Sequence, residues 1–341
     1  MAVVIYGNGP ILTGGPPSGL WGAPLPRFGL DLLFAMSGYL IAGSWIRRPQ
    51  LLPFLIARAR RVWPGLAGCV VVTILVIGAM ATHLPLRQYA ANGMTLRYLK
   101  NIVLIEQLWL PRVFEGQGWA GAVNPMLWTL RPALLCCLVL PACGLLVFRV
   151  RCLALGIAAI VCGVTVLSLP LSVNSGFDRI EYHRTLTEVP FFLMGVLLRH
   201  VQERRVDLWR ADIAMLFFAG NWIVATWLGA WNIVLEWISL PYMAICFGHV
   251  SAPVLGRLGR LGNPSYGFYL YAFPIQQLIV ARLPHFRYPV AACTTIALAA
   301  GYMSWHLIEK PALHWTGPGE RVRHLARSAL AFVSPDNNSA R

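Results

Sequence analysis

Long apolar stretches follow one another along nearly the whole chain, separated by short polar loops. A helix needs about 20 predominantly apolar residues to cross the hydrocarbon core of a bilayer, and its backbone hydrogen bonds are then satisfied within the segment. The stretches are too long and too continuous to be the alternating strands of a membrane barrel. The sequence therefore predicts an all-α, polytopic membrane protein that lives in contact with the lipid bilayer.

The apolar stretches predict one bundle of about ten helices, of which the first is incomplete. Residues 1–7 give about 10 Å of helix against roughly 30 Å of hydrocarbon, so either the first helix is cut short or this segment only dips into the outer leaflet. We expect one transmembrane domain over 1–317 and a polar cytoplasmic tail over 318–341. The predicted spans are 1–7, 29–46, 62–82, 124–148, 152–171, 187–200, 211–229, 232–249, 264–283 and 289–309.

The composition supports a membrane protein, since 57% of the residues are hydrophobic and only 12% are charged. The net charge of +15 does not indicate nucleic-acid binding, because the basic residues lie in short loops between apolar stretches instead of along one helix face. Arginine-rich short loops mark the cytoplasmic side, so we expect a multi-pass protein with 47–61 and 199–210 inside. The long outward segment 83–123 is predicted to lie as an interfacial helix over the mouth of the bundle.

Cysteine and histidine spacing predicts no metal site. The 8 cysteines lie in or beside apolar runs, and none forms a zinc-type CxxC pair. No HxxxH spacing is present either. We interpret the cysteines as small apolar packing residues.

Several segments, in a fixed order, resemble acyltransferase family three, the bacterial integral-membrane O-acyltransferases. They are GLDLLFAMSGYLIAGSW (29–45), RARRVWPGL (58–66), VNPMLWTL (123–130), LGNPSYGFYLYAFPIQQ (261–277) and SWHLIEKPAL (304–313). The resemblance implies a bundle of about ten helices in the bacterial inner (cytoplasmic) membrane. It also implies transfer of an acyl group, commonly acetyl from acetyl-CoA on the cytoplasmic side, to a hydroxyl of a cell-envelope glycan or similar acceptor.

Two positions depart from the family pattern. The family's general base, a histidine near the outer end of the first helix, matches Asn8 here, and the arginine that precedes it would fall before Met1. The family's glutamate three residues after the WTL segment matches Ala133. Neither asparagine nor alanine can accept a proton near neutral pH, and loss of a positioned base costs about 10²–10⁴ in rate. The resemblance therefore implies a divergent or N-terminally truncated member of the family. The alternative is a catalytically inactive member that acts as a membrane binding or partner protein.

Three residues match family positions at the inner side. Arg58 and Arg61 follow the second helix and are suited to bind the phosphates of acyl-CoA, although positive-inside anchoring explains them equally well. Tyr266 opens the SYGFYLY helix; the resemblance allows it a role at the donor site, and an aromatic belt residue is the alternative.

Two further residues are singled out by their own chemistry. His183 lies beside Glu181 in a predicted outward loop and is a candidate alternative base, against the simpler interpretation of a solvated loop residue. Arg131 lies inside a predicted span and is expected to pair with Glu188 or Glu236. A secondary transporter is a weaker third class, because no matching pair of interrupted helices is evident. The sequence leaves the oligomeric state open.

Overall fold

The computed structural model describes residues 19–21, 23–116, 121–147, 177–203, 209–227, 233–249, 262–283 and 288–314. Regular structure in these residues is helical apart from a short antiparallel hairpin, in which β1 (Gly19–Leu20) pairs with β2 (Ala23–Pro24) just before the first helix. The prediction of an all-α fold is thus confirmed for the described part of the chain. Segments 1–7, 152–171 and 318–341 lie outside it.

The α-helices of the described residues are numbered in chain order. Their bounds are α1 Leu25–Arg47, α2 Leu51–Val72, α3 Leu86–Ala91, α4 Gly93–Tyr98, α5 Leu130–Val147, α6 Phe177–Gln202, α7 Ala211–Trp227, α8 Ile233–His249, α9 Ser265–Arg282, α10 Pro289–Ser304 and α11 Lys310–His314. A π-helical segment, Thr73–Gly78, and a last turn, Ala79–Ala81, continue α2, while a second π-helical segment, Trp305–Glu309, joins α10 to α11. The 3-10 turns Leu99–Val103 and Pro125–Thr129 follow α4 and precede α5.

Most predicted spans in the described residues agree with these bounds to within several residues, and two helices begin well before the predicted residue. Helix α2 begins at Leu51 instead of 62, because the arginines of 58–61 interrupt the apolar run without interrupting the helix. Helix α6 begins at Phe177, so the predicted outward loop that contains His183 is helical from Phe177 onward.

The helices pack as two groups joined by α5. Helix α1 makes its main contact with α6, and α8 packs against both while α7 covers α8. In the second group α9 packs along α10, and α2 contacts α9 and the π-helical end of α10. Helix α5 touches α1, α2 and α6, so it lies between the groups.

Small residues set the distance between α1 and α6. A Cβ atom placed on Gly38 would lie 2.0 Å from the Phe192 carbonyl oxygen, and one on Gly195 would lie 2.1 Å from the Ala35 carbonyl oxygen. Each helix therefore approaches the other at a glycine, which is the packing expected of small residues in membrane helices.

The segment 83–123 does not form the predicted interfacial helix. The 3-10 turn Leu99–Val103, which follows α3 and α4, packs against α2. The Tyr89 hydroxyl of α3 donates to the Ile74 carbonyl of the π-helical segment at 2.9 Å. The chain then returns to pair Val113 with Thr82 at the end of α2. Residues 121–130 are buried throughout, so the WTL segment enters the bundle as non-helical and 3-10 backbone before α5 begins. Irregular backbone is tolerated inside a membrane protein where protein surrounds it.

Large apolar side chains cover the outside of the bundle. Leu75, Met215, Leu216, Trp227 and Phe247 are each at least 69% exposed, as expected of side chains that face lipid. Three helical segments of the described chain are long and apolar enough to cross a membrane, Leu25–Arg47, Leu51–Ala81 and Pro289–His314. The shorter apolar helices include Ala211–Trp227 and Ile233–His249.

Candidate functional site

The polar side chains of the bundle gather in a few places. We call the end that carries Arg47, Arg58, Arg61, Arg199 and Arg210 the arginine-rich end. The other end, where Arg282 of α9 donates to the Met80 carbonyl of α2, is the opposite end. Both candidate donor-binding arginines therefore lie at the same end as the loops that the sequence assigns to the cytoplasm.

Arg61 and Tyr266 lie together at the arginine-rich end. The Arg61 Nη1 atom is 2.7 Å from Glu309 Oε2, and the Glu309 side chain is completely buried. The Ser304 hydroxyl donates to the second carboxylate oxygen of Glu309 at 3.0 Å. The Arg61 guanidinium carbon also lies 5.6 Å from the centre of the Tyr266 ring. The ion pair and the hydrogen bond thus offset the cost of burying the Glu309 carboxylate. The ion pair also joins α2 to the π-helical segment that follows α10.

Tyr266 is also held by its hydroxyl. That group donates to the Val62 carbonyl of α2 at 2.9 Å. The Trp305 ring lies on another side of Arg61, with 5.2 Å between its centre and the guanidinium carbon. The side chain of Tyr266 is therefore a contact between α9 and α2 in this structure.

Arg58 makes its contacts with other side chains than Arg61 does, and the two guanidinium groups are within electrostatic range of each other. The Arg58 Nη2 atom donates to the Ser44 hydroxyl of α1 at 3.4 Å, and its guanidinium carbon lies 5.6 Å from the centre of the Phe54 ring. Cys137 of α5 is within electrostatic range. The structure thus separates the two candidate arginines, since Arg61 faces α9 and α10 while Arg58 faces α1 and α5.

A second polar cluster at the arginine-rich end was not predicted. The Tyr39 hydroxyl of α1 donates to Gln202 Oε1 of α6 and lies 2.8 Å from His249 Nε2 of α8. Arg199 Nη1 donates to the same hydroxyl at 3.4 Å, and the Trp209 ring stacks on His249 with 4.9 Å between ring centres. Arg199 and Gln202 lie three positions apart on α6, whereas the other members come from separate segments, so no spacing motif predicts the cluster.

A buried carboxyl pair lies between α1 and α6. Asp31 is 1% exposed, and its carboxyl group hydrogen-bonds the carboxyl group of Glu188, which is also buried. Arg27, one turn earlier on α1, is within electrostatic range. Arg27 is thus the cation nearest to this buried pair of carboxyl groups that can offset their charge.

The WTL segment is fixed to α9. The Thr129 hydroxyl lies 2.6 Å from the Tyr269 hydroxyl, which itself lies 3.0 Å from the Met126 carbonyl oxygen. Arg131, just beyond, is exposed and lines a small cavity together with Glu106 and Trp128. Its predicted ion pair with Glu188 or Glu236 is not found among the described residues.

Of the three candidate catalytic positions, only Ala133 has a side chain that the structure describes. Asn8 lies outside the described residues. His183 belongs to α6, in the turns whose side chains the structure does not describe. Ala133 of α5 packs against the apolar cluster that contains Phe34, Phe191 and Trp237. A glutamate at position 133 would therefore point between α1, α6 and α8, on the side of α5 away from Arg131.

In the described segments no group of three or more His, Cys, Asp or Glu side chains is placed to hold a metal ion. The described cysteines are buried and unpaired. Cys69 contacts Thr73 and the Leu270 carbonyl, which places it in helix packing between α2 and α9.

The fold and its apolar surface define a helical membrane protein with polar clusters between its helices. A family model described as an acyltransferase domain matches residues 1–305, and the chain therefore belongs to acyltransferase family three. This confirms the resemblance seen in the sequence.

Two curated relatives extend the comparison. The chain is 26% identical over 314 residues to a protein of Shigella phage Sf6 named O-acetyl transferase, covering 84% of this chain and 85% of the relative. It is 27% identical over 331 residues to Nodulation protein 10 of Rhizobium leguminosarum bv. viciae, covering 88% of this chain and 86% of that relative. No solved structure matches the chain.

Proposed function

We propose that this protein is a membrane O-acyltransferase that moves an acetyl group from acetyl-CoA to a hydroxyl of a cell-envelope glycan or similar acceptor. The observation that carries the proposal is membership of the acyltransferase family over residues 1–305, together with a relative named O-acetyl transferase that is matched over 85% of its length. The donor would bind at the arginine-rich end, which we assign to the cytoplasm of a bacterial cell because short arginine-rich loops remain inside. We infer a bundle of about ten spans in the inner membrane.

The chemistry that such an enzyme needs is simple. The acceptor oxygen attacks the thioester carbonyl, a base takes the hydroxyl proton, and coenzyme A leaves as a thiol after it regains a proton. Arg58, Arg61 and Tyr266 lie at the end where the donor is proposed to bind. The residue that acts as the base is not the family's histidine, because Asn8 stands at that position. The family's glutamate is also replaced, by Ala133.

Those two substitutions favour a second candidate function. A chain without the family base can keep the fold and the donor pocket and act as a membrane binding or partner protein. His183 offers the alternative in which this copy keeps activity through a relocated base, since imidazole accepts protons near neutral pH.

Turnover of radiolabelled acetyl-CoA by membranes that contain the full chain tests these possibilities. The variants are the unmodified chain, His183→Ala, and the double variant Asn8→His with Ala133→Glu, each normalised to the amount of folded protein. Activity in the unmodified chain that His183→Ala abolishes supports a relocated base. Activity in the double variant alone supports an inactivated enzyme. Absence of label transfer in every variant, with folded protein present, contradicts the acyltransferase proposal.

A further inference from the structure

The polar cluster around Tyr39 contains a histidine whose ring is held in one orientation. His249 is the last residue of α8, and its Nε2 atom lies 2.8 Å from the Tyr39 hydroxyl. Its ring stacks on the Trp209 ring with an angle of 11° between the ring planes. The Tyr39 ring meets the His249 ring edge to face, with 6.0 Å between ring centres. A hydrogen bond and two aromatic rings therefore fix the imidazole.

The hydrogen bonds of Tyr39 determine which nitrogen of His249 carries the proton. The Tyr39 hydroxyl has one proton and donates it to Gln202 Oε1. Arg199 Nη1 donates to the Tyr39 oxygen, which is therefore an acceptor toward its other neighbours. His249 Nε2 must then donate to this oxygen as well, which leaves the lone pair of a neutral imidazole on Nδ1. An imidazole oriented through one nitrogen, with the other nitrogen as proton acceptor, is the arrangement of a general base.

His249 is also accessible and carries no fixed charge partner. The residue is exposed, and no described residue forms a hydrogen bond with its Nδ1 atom. The charged groups nearest to the cluster are joined to one another, Arg199 to Glu203 and Arg210 to Asp212. No carboxylate of the described chain forms an ion pair with the imidazole. The ring can therefore take up and release a proton without breaking an ion pair of the fold.

The cluster lies close to one of the candidate donor-binding arginines. Arg58 Nη2 donates to the Ser44 hydroxyl of α1. Tyr39, which holds His249, lies five residues earlier on the same helix, a rise of about 8 Å. His249 is therefore placed at the arginine-rich end, beside the helix that Arg58 contacts.

We infer that His249 is the general base of acyl transfer in this chain and that Tyr39 positions it. The inference rests on the proposed function, and it supplies the base that is missing where Asn8 replaces the family's histidine. The acceptor oxygen attacks the thioester carbonyl carbon while the hydroxyl proton moves to His249 Nδ1. The C–O bond forms, the C–S bond breaks, and the electron pair of that bond leaves with sulfur. The imidazolium then gives its proton to sulfur, so coenzyme A leaves as a thiol and the imidazole is neutral again.

This assignment also locates the reaction. The acceptor hydroxyl has to reach His249, so it is presented at the arginine-rich end, where the donor is proposed to bind.

The experiment measures transfer of radiolabel from acetyl-CoA in membranes that contain the full chain or one variant, normalised to the amount of folded protein. The variants are His249→Ala, His249→Gln, Tyr39→Phe and His183→Ala. His306→Ala is the matched control, because His306 is also exposed at the arginine-rich end and stacks on an aromatic ring, that of Tyr302, with 6.4 Å between ring centres.

We expect both His249 variants to lower kcat about 10²–10⁴-fold with the KM for acetyl-CoA little changed, because a positioned base is lost. Added imidazole should restore part of the rate of His249→Ala, which leaves space for it, but not that of His249→Gln. Tyr39→Phe keeps the ring and removes only the hydroxyl, so it should lower kcat by a smaller factor and shift the midpoint of the pH–rate profile. His183→Ala and His306→Ala should keep the rate of the unmodified chain.

The other outcomes overturn the inference and separate it from the proposed function. If the unmodified chain transfers label and His249→Ala keeps the full rate, or His183→Ala abolishes it, His249 is not the base and the proposed function is unaffected. A loss in His249→Ala that imidazole leaves unchanged, with the pH–rate profile of Tyr39→Phe unmoved, assigns both residues to packing. Activity only in the double variant Asn8→His with Ala133→Glu shows that this chain has lost its base without replacement. Absence of transfer in every folded variant contradicts the proposed function together with this inference.

Discussion

The Asn124 side-chain amide donates a hydrogen bond of 2.9 Å to the carbonyl oxygen of Leu270, four residues before Pro274 in α9. Proline has no N–H group, so it leaves this carbonyl without its helical donor. The Cys69 thiol makes a second contact to the same oxygen at 3.4 Å. The hydrogen bond that α9 lacks at Pro274 is therefore replaced by a side chain from the buried segment that precedes α5.

Replacement of Asn124 should destabilise the bundle through this carbonyl. We expect Asn124→Leu to lower the free energy of unfolding by about 1–3 kcal/mol, because a buried acceptor loses its donor. In a Pro274→Ala background the new backbone N–H can serve Leu270, so the same substitution should cost less. Denaturant unfolding in detergent micelles measures the double-mutant cycle. Equal costs of Asn124→Leu in both backgrounds would show that the amide stabilises the bundle in another way.

The close contact of α1 and α6 at Gly38 predicts that substitution of this glycine lowers stability, whereas substitution of a glycine with open space around it does not. Gly38→Ala should lower the free energy of unfolding by about 1–3 kcal/mol or more, because its Cβ meets backbone and not a movable side chain. A Cβ atom on Gly220 of α7 would have no neighbouring atom within 4 Å, so Gly220→Ala is the matched control and should be neutral or stabilising by about 0.5–1 kcal/mol. Thermal unfolding of the two variants checks this. A Gly38→Ala protein as stable as Gly220→Ala would contradict the close approach.

The helix bounds show which parts of the fold can be predicted from the sequence alone. The apolar runs located α7, α8 and α9 to within about two residues, because long hydrophobic segments have few alternatives in lipid. They did not locate the start of α2, because hydropathy falls at the arginines of 58–61 whereas helix propensity does not.

Other features depend on residues far apart in the chain. The Tyr89 contact to Ile74 places 83–103 along α2, and no local pattern in that segment distinguishes it from an interfacial helix. The cluster of Tyr39, Gln202 and His249 joins residues up to 210 positions apart. Arg58 and Arg61 are equivalent in the sequence and become different only when their neighbours on other helices are known.

The ion pair between Arg61 and Glu309 should behave as a buried pair. We expect Arg61→Gln to lower the free energy of unfolding by about 3–5 kcal/mol, because it leaves a completely buried carboxylate unpaired. Glu309→Gln in addition should restore part of this loss, since the glutamine keeps an acceptor for Ser304 without the charge. Chemical denaturation of the single and double variants gives the coupling free energy. Additive effects of the two substitutions would mean that the two side chains do not depend on each other.

Substitutions at position 133 test whether this side of α5 packs against apolar side chains. Ala133 packs against apolar side chains that include Phe34, Phe191 and Trp237, so Ala133→Glu places a carboxyl group among them. We expect this variant to lose about 1–3 kcal/mol or more of unfolding free energy beyond the loss in Ala133→Met, which adds similar volume without a polar group. Addition of Asn8→His, which returns the family residue at the second position, should recover part of the difference if the histidine offsets the charge of the new carboxyl group. Unfolding temperatures in nanodiscs measure all four proteins, and an Ala133→Glu variant more stable than Ala133→Met would show that this side of α5 faces a hydrated pocket.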